Sequence, residues 1–205
     1  MKSWQLNEWE VLTGHIAEFP VNVVLAAQVH GANIIAVDEF LSTRPTADAL
    51  STTGKVIVGV LTADCLPLVL TTPSVALIIH VSRASLTAGI LDRVGNFIQL
   101  RDLSGVFLGA HICEQHLTYS HLGPELQEFA KKFGPALKGD SPYTISLRAI
   151  VHNYLKQWGK ESLVILEDGR CTFEDPELYS HRRALLEKSS APLPRFITAV
   201  RRQAA

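Results

Sequence analysis

The chain has 205 residues, 47% of them hydrophobic and 19% charged, a composition that predicts a soluble globular protein with one sizeable core, folded as a single domain over 1–205. Nineteen Lys and Arg against twenty Asp and Glu give a formal net charge of −1, so no overall field favours nucleic acid or an anionic membrane, and any anion site must be local. The opening "MKSWQLNEWE" lacks the apolar core of a signal peptide, and no apolar run is as long as a membrane span. Cys65, Cys113 and Cys171 are odd in number and far apart, which predicts reduced thiols and a cytoplasmic protein rather than a disulfide framework.

In chain order, short runs rich in Val, Ile and Leu predict strands over 21–29 and 33–37. Three more, over 55–61, 67–72 and 75–81, follow one another through short turns and read as adjacent strands. Apolar residues at helical spacing predict a helix over 84–98, and with a strand at 105–110 this completes a βαβ unit. A second helix starts at Pro124 and stops at Gly134. A third covers 143–158, before Gly159. A strand over 162–168 follows, and "KSSAPLPR" leads into a last strand, "FITAV". The expected class is α+β (mixed α/β): mixed β-sheets with helices packed on them.

One stretch breaks the apolar pattern. In "VLTADCLPLVL", residues 60–70, an acid and a cysteine, Asp64 and Cys65, stand between two strand-like runs, and Pro67 cuts backbone donation. A turn there would expose both. A lone cysteine is most often a small buried hydrophobe. However, "QVHGA" places His30 where a strand ends and Gly31 allows a sharp turn, with Gln28 two residues before. "ALIIHVSRAS" places His80 at the end of a very apolar strand, ahead of Arg83 and a helix start whose amides would favour an anion. A histidine so placed is more often a hydrogen-bonded core residue than a ligand. Taken together, two imidazoles and a thiolate near strand ends suit Zn²⁺ in a three-ligand catalytic site with an open position.

Two further groups compete for attention. "GAHICEQHLTYSH" carries His111, Cys113, His116 and His121, and an extended 109–113 would put His111 and Cys113 on one face. With no matching pair elsewhere, the segment reads as a loop with solvated histidines. Adjacent Arg182 and Arg183 could hold phosphate or line a solvated helix face. Cu²⁺ is an alternative for a His₂Cys set, but its usual axial methionine is missing, because the sole methionine is Met1.

"QVHGA", "DALSTTGKVIVGVLTADCLPLVL", a histidine closing the next strand, "GAHICEQHL", and "CTF" followed by "LYSHRR" together resemble the laccase-domain family, first labelled multicopper polyphenol oxidase and later described as purine nucleoside phosphorylase. The match runs from about residue 26 to residue 184. The resemblance implies a cysteine hydrolase-like single-domain fold and Zn²⁺ held by His30, Cys65 and His80. It also implies phosphorolysis of adenosine, inosine, guanosine and methylthioadenosine, with adenosine deaminase activity. Purine nucleosides and phosphate are then the expected partners. On this basis Cys65, Arg83 and Asp64 are the catalytic candidates, and Gln28, Arg182 and Arg183 the substrate-binding ones. The chain departs from the family where "HVSRAS" replaces a pattern like "HAGWRG", and the family's N-terminal elements look absent or shortened before residue 20. Alternative readings are a metal-free thiol hydrolase built on Cys65 and a histidine, a copper polyphenol oxidase, and a divergent member that has lost activity.

Overall fold

A computed structural model describes residues 1–19, 22–39, 41–139, 142–189 and 194–203. Leu66–Thr71 (β7), Ala76–Val81 (β8) and Gly105–Leu108 (β9) are buried at every position, because their sheet is covered on both faces. Side chains alternate across it. Leu66, Leu68, Leu70, Leu77, Ile79, Val106 and Leu108 join the helices in one core, whereas Val69, Ile78 and Phe107 face a second sheet. The result is three layers, sheet on sheet on helix, in an α+β fold.

The middle sheet has six strands in the order β13-β9-β7-β8-β5-β4, where β4 is Ile34–Ala36, β5 is Ala49–Thr52 and β13 is Ile165–Glu167. Strands β8 and β9 both run antiparallel to β7 and therefore parallel to each other, so the expected crossover unit exists with β7 between its strands. The outer sheet has five strands in the order β1-β2-β14-β6-β3. These are Lys2–Leu6 (β1), Trp9–His15 (β2), Val23–Leu25 (β3), Ile57–Thr62 (β6) and Phe196–Arg202 (β14). A small sheet of Thr118–Tyr119 (β10), Leu137–Lys138 (β11) and Tyr143–Ile145 (β12) lies at the edge.

Several sequence-based expectations are corrected. Strands β6 and β7 are neighbours in the chain but belong to different sheets, so the segment 63–65 is a corner between layers rather than a hairpin turn. The helix expected over 84–98 is only Arg83–Thr87 (α1), because Gly89 turns the chain at φ +86, and a 3₁₀ segment, Leu91–Asn96, carries the remaining apolar residues inward. The second helix is Pro124–Phe133 (α2), as expected. The third, Leu147–Gln157 (α3), starts at the Ser146 cap, and its expected first residues instead form β12. The strand expected over 21–29 is mostly irregular after Leu25, and Val21 lies outside the described residues, as do 190–193 of "KSSAPLPR".

Residues 2–15 form two strands that the sequence reading did not predict. β1 and β2 form a hairpin whose turn residue Asn7 sits at φ 57, and Trp9 is fully buried with its indole N–H donating to the Thr72 carbonyl at 2.8 Å. Among the described residues no helix is long and apolar enough to cross a membrane.

Strand β14 lies between β2 and β6 and pairs with both over most of its length. Ending the chain at residue 189 would leave two long unpaired edges in the outer sheet. Such a chain is expected to lose the cooperative thermal transition of the full chain in far-ultraviolet circular dichroism. An unchanged melt would show that β14 is dispensable.

Candidate active site at the corner between sheets

His30, Cys65 and His80 each offer a ligand atom, and these three atoms all lie within 4.8 Å of one another. They come from three parts of the fold. His80 is the penultimate residue of β8 and is buried. Cys65 follows the corner out of β6, where Asp64 adopts φ 91. His30 sits in a loop at φ 58, left-handed backbone that a non-glycine residue adopts at a cost of about 1–3 kcal/mol.

What holds His30 there is Asp48. Its fully buried carboxylate accepts the backbone N–H groups of Val29, His30 and Gly31 at 3.2, 2.9 and 2.7 Å. The same carboxylate meets His80 Nδ1 at 2.9 Å. Burial alone would raise the Asp48 pKa, but the His80 contact and the amides of Gly31 and Val29 outweigh it and hold the carboxyl below its usual range. With Nδ1 taken by Asp48, Nε2 of His80 is left for a metal, the arrangement typical of zinc-binding histidines. The rings of His30 and His80 meet edge to face with centroids 4.9 Å apart. Burial, and then the charge of His80, lowers the His30 pKa, which keeps its imidazole neutral and available as a ligand. Burial, followed by the charge of Asp64, pushes the Cys65 thiol up to about 12. As a free thiol it is therefore protonated at neutral pH, and a bound cation is what would make it a thiolate.

The three groups open on a cavity of about 400 Å³, within the range of small-molecule sites. Ile112, Leu117 and Leu147 form apolar wall, and Arg83, Arg182 and Arg195 bring three guanidinium groups to it. Arg83 and Arg182 lie 5.9 and 5.5 Å from the centroid of the Tyr119 ring. Arg83 is ion-paired with Glu125, and Arg182 donates to the Thr118 carbonyl at 2.6 Å.

The remaining candidates have structural partners. Asp64 lines the cavity, but both its oxygens are occupied, by the Thr172 hydroxyl and the Arg182 amide, each at 2.7 Å. Gln28 clamps β6 by accepting from Leu61 N–H and donating to Leu61 carbonyl, both at 2.8 Å. Arg183 is not among the residues lining the cavity, and its guanidinium donates to the carbonyls of Thr172, Phe173, Asp175 and Leu178. The anion-binding helix start expected after His80 is not present either. α1 has one and a half turns, and the Ser82 hydroxyl already accepts the Ser85 amide at 3.0 Å.

Asp48, Tyr119 and Arg195 are absent from the sequence-based candidates. The only sequence signal for Asp48 is an acid inside "TADALST", an otherwise apolar strand start, where an unpaired carboxylate would be too costly to bury.

Residues 7–192 match the family described as multi-copper polyphenol oxidoreductase laccase. Among similar proteins, the Mycobacterium tuberculosis protein named purine nucleoside phosphorylase is 28% identical over 187 residues, covering 87% of this chain and 71% of that protein. The Campylobacter jejuni protein of the same name is 28% identical over 185 residues, covering 86% and 76%. Among solved structures, a Neisseria meningitidis protein superposes with a TM-score of 0.75 at 21% identity, over 89% of this chain and 76% of the other. YlmD from Geobacillus stearothermophilus gives 0.68 at 22%, over 89% and 74%.

Replacing Asp48 by Ala leaves three amides and His80 without their acceptor. It is expected to lower the urea unfolding free energy by about 3–5 kcal/mol, the cost of breaking a buried polar pair. Asp48→Asn, which keeps an acceptor oxygen, is expected to cost clearly less. Equal losses would show that the charge, not the hydrogen bonding, carries the stabilisation. From the match over 7–192 and the shared fold, the chain belongs to the multi-copper polyphenol oxidoreductase laccase family.

Proposed function

We propose that this chain is a zinc-dependent enzyme that cleaves purine nucleosides with inorganic phosphate. The observation carrying this reading is that a His₂Cys donor set and three guanidinium groups open on the same nucleoside-sized cavity. Relatives named purine nucleoside phosphorylase support the substrate class. Two imidazoles and a cysteine that line one cavity suit the three-ligand set of a catalytic zinc. A blue-copper centre would want a weak axial ligand such as methionine, and Met1 is exposed at the chain's start. His30, Cys65 and His80 are the residues that would hold the zinc, and the ion would supply a Lewis acid at the cavity.

The chain's own residues do the rest. Phosphorolysis forms a bond from a phosphate oxygen to the anomeric carbon as the carbon–nitrogen bond breaks. The electron pair leaves with the purine, which takes up a proton, and the other product is the sugar 1-phosphate. Arg182 and Arg195, with Arg83 shared between Glu125 and the cavity, are the groups that hold the phosphate dianion and offset its charge. Tyr119 lines the cavity with the guanidinium groups of Arg83 and Arg182 over its ring, which keeps both near the phosphate position. Asp64 positions rather than transfers protons. Its two hydrogen bonds tie the corner that bears Cys65 to Thr172 and to the backbone of Arg182. Gln28 fixes the edge of β6 beneath the cavity. Although the "HVSRAS" segment departs from the family, Arg83 still lines the cavity, which favours a working site over a vestigial one.

A metal-free thiol hydrolase needs an activated Cys65, and burial beside Asp64 works against that. The discriminating experiment is Cys65→Ala, assayed with inosine and adenosine plus phosphate, with ammonia release from adenosine reporting deamination. Loss of one zinc per chain together with loss of base release is expected. A variant that cleaves inosine at the wild-type rate would sink the proposal. Removing a charged hydrogen bond to phosphate costs about 1.5–3 kcal/mol, so Arg182→Gln is expected to raise the phosphate KM roughly tenfold or more. An unchanged phosphate KM would remove Arg182 from the phosphate site.

A further inference from the structure

A second group of ligand-type side chains stands outside the cavity. Cys113, His116, Cys171 and Glu174 each offer an atom, and all four atoms lie within 4.8 Å of one another. His116 Nδ1 is 3.1 Å from Cys113 Sγ, 3.8 Å from Cys171 Sγ and 3.4 Å from Glu174 Oε1, and Cys113 Sγ is 3.8 Å from Glu174 Oε1. Ligands 2.0–2.3 Å from a tetrahedral zinc lie about 3.3–3.8 Å apart along the edges of the tetrahedron. The four distances fall at or near that range.

The local backbone has the form of two facing turns. Residues 113–116 read Cys-x-x-His, and the Cys113 carbonyl accepts from the amides of His116 and Leu117 at 3.1 and 3.0 Å. Residues 171–174 read Cys-x-x-Glu, and the Cys171 carbonyl accepts from Glu174 and Asp175 at 3.2 and 3.0 Å. Each turn therefore presents its first and fourth side chains together. The turns are joined by a bridge between His111 and Cys171 and by the Cys113 amide, which donates to Cys171 Sγ at 3.2 Å. The His116 ring stacks on Phe173 with centroids 4.2 Å apart, which sets the direction of its Nδ1. Cys171 is buried while Glu174 is largely exposed, so the group has a closed base and an open side for an ion to enter.

We propose that Cys113, His116, Cys171 and Glu174 form a second, four-ligand zinc site that staples the loop after β9 to the turn 171–174. The site is structural, with protein atoms on all four positions, unlike the three-ligand set at the cavity. It ties down parts of the cavity. Ile112 and Leu117 of the stapled loop, and Tyr119 in β10 directly after it, line the cavity, and Thr172, next to Cys171, donates to Asp64 beside Cys65. Neither the ligand set nor its effect depends on what the cavity binds.

The full chain is loaded with zinc in reducing buffer, desalted, and analysed for metal in wild type, Cys65→Ala, Cys113→Ser, Glu174→Gln and the Cys65→Ala/Cys113→Ser double variant. The expected result is about two ions per chain in wild type, about one in Cys65→Ala and in Cys113→Ser, and none in the double variant. Cobalt-loaded Cys65→Ala should show sulfur-to-cobalt charge-transfer absorption, and a chelator should lower its melting temperature but not that of the double variant. Glu174→Gln, at an exposed position, guards against misfolding and should weaken zinc retention in competition with a chelator. Three results would overturn the proposal: a zinc-free Cys65→Ala protein, wild-type stoichiometry in Cys113→Ser, or a Cys113–Cys171 disulfide in place of metal under these reducing conditions.

Discussion

The Asp48 carboxylate is the constraint on which the site depends. It is fully buried, and it is tolerated because four donors converge on it: three consecutive amides and one imidazole nitrogen. The three amides can point at one group only if the loop takes an unusual path, and His30 in the left-handed region is the result. One buried charge thus sets the backbone of one candidate ligand and the ring orientation of another. The two histidines come from elements fifty residues apart, yet a single acceptor fixes both.

The corner between sheets supplies the third group. A strand ladder needs residues with extended backbone, and the chain leaves it between Thr62 and Leu66 to pass from the outer sheet to the middle one. Asp64 takes the positive φ that the change of direction demands and is stabilised by Thr172 and Arg182. Cys65 then stands next to a corner anchored from the C-terminal part of the chain. The segments 111–119 and 170–183 wrap this corner, and their mutual hydrogen bonds make the cavity wall a joint product of distant sequence. Burial of Cys65 and the neighbouring Asp64 charge work against a free thiolate at this corner.

Arginines illustrate how one residue type divides between tasks. Arg183 spends its guanidinium on four backbone carbonyls and closes the turn 172–178, whereas Arg182, one residue earlier, points to Tyr119 and the cavity. The difference follows from position on the helix His181–Leu186 (α4), since consecutive residues point about 100° apart.

The sequence by itself determined β7, β8 and β9 at the centre of the middle sheet, because residues buried on both faces must be apolar nearly throughout and so appear as runs of Val, Ile and Leu. It also marked His30, Cys65 and His80 as exceptional, since each interrupts or ends such a run. It misled at Gly89, where helical spacing continues but the backbone turns, and it left the hairpin over 2–15 unread, because an alternating edge hairpin carries a weaker signal. Tertiary structure alone decided that β6 and β7 lie in different sheets, that β14 enters the centre of the outer sheet, and that Asp48 stands behind both histidines. It alone brought Cys171-x-x-Glu174 to Cys113-x-x-His116 across more than fifty residues, because the partners in such contacts are set by sheet order and layer packing, which local periodicity does not encode.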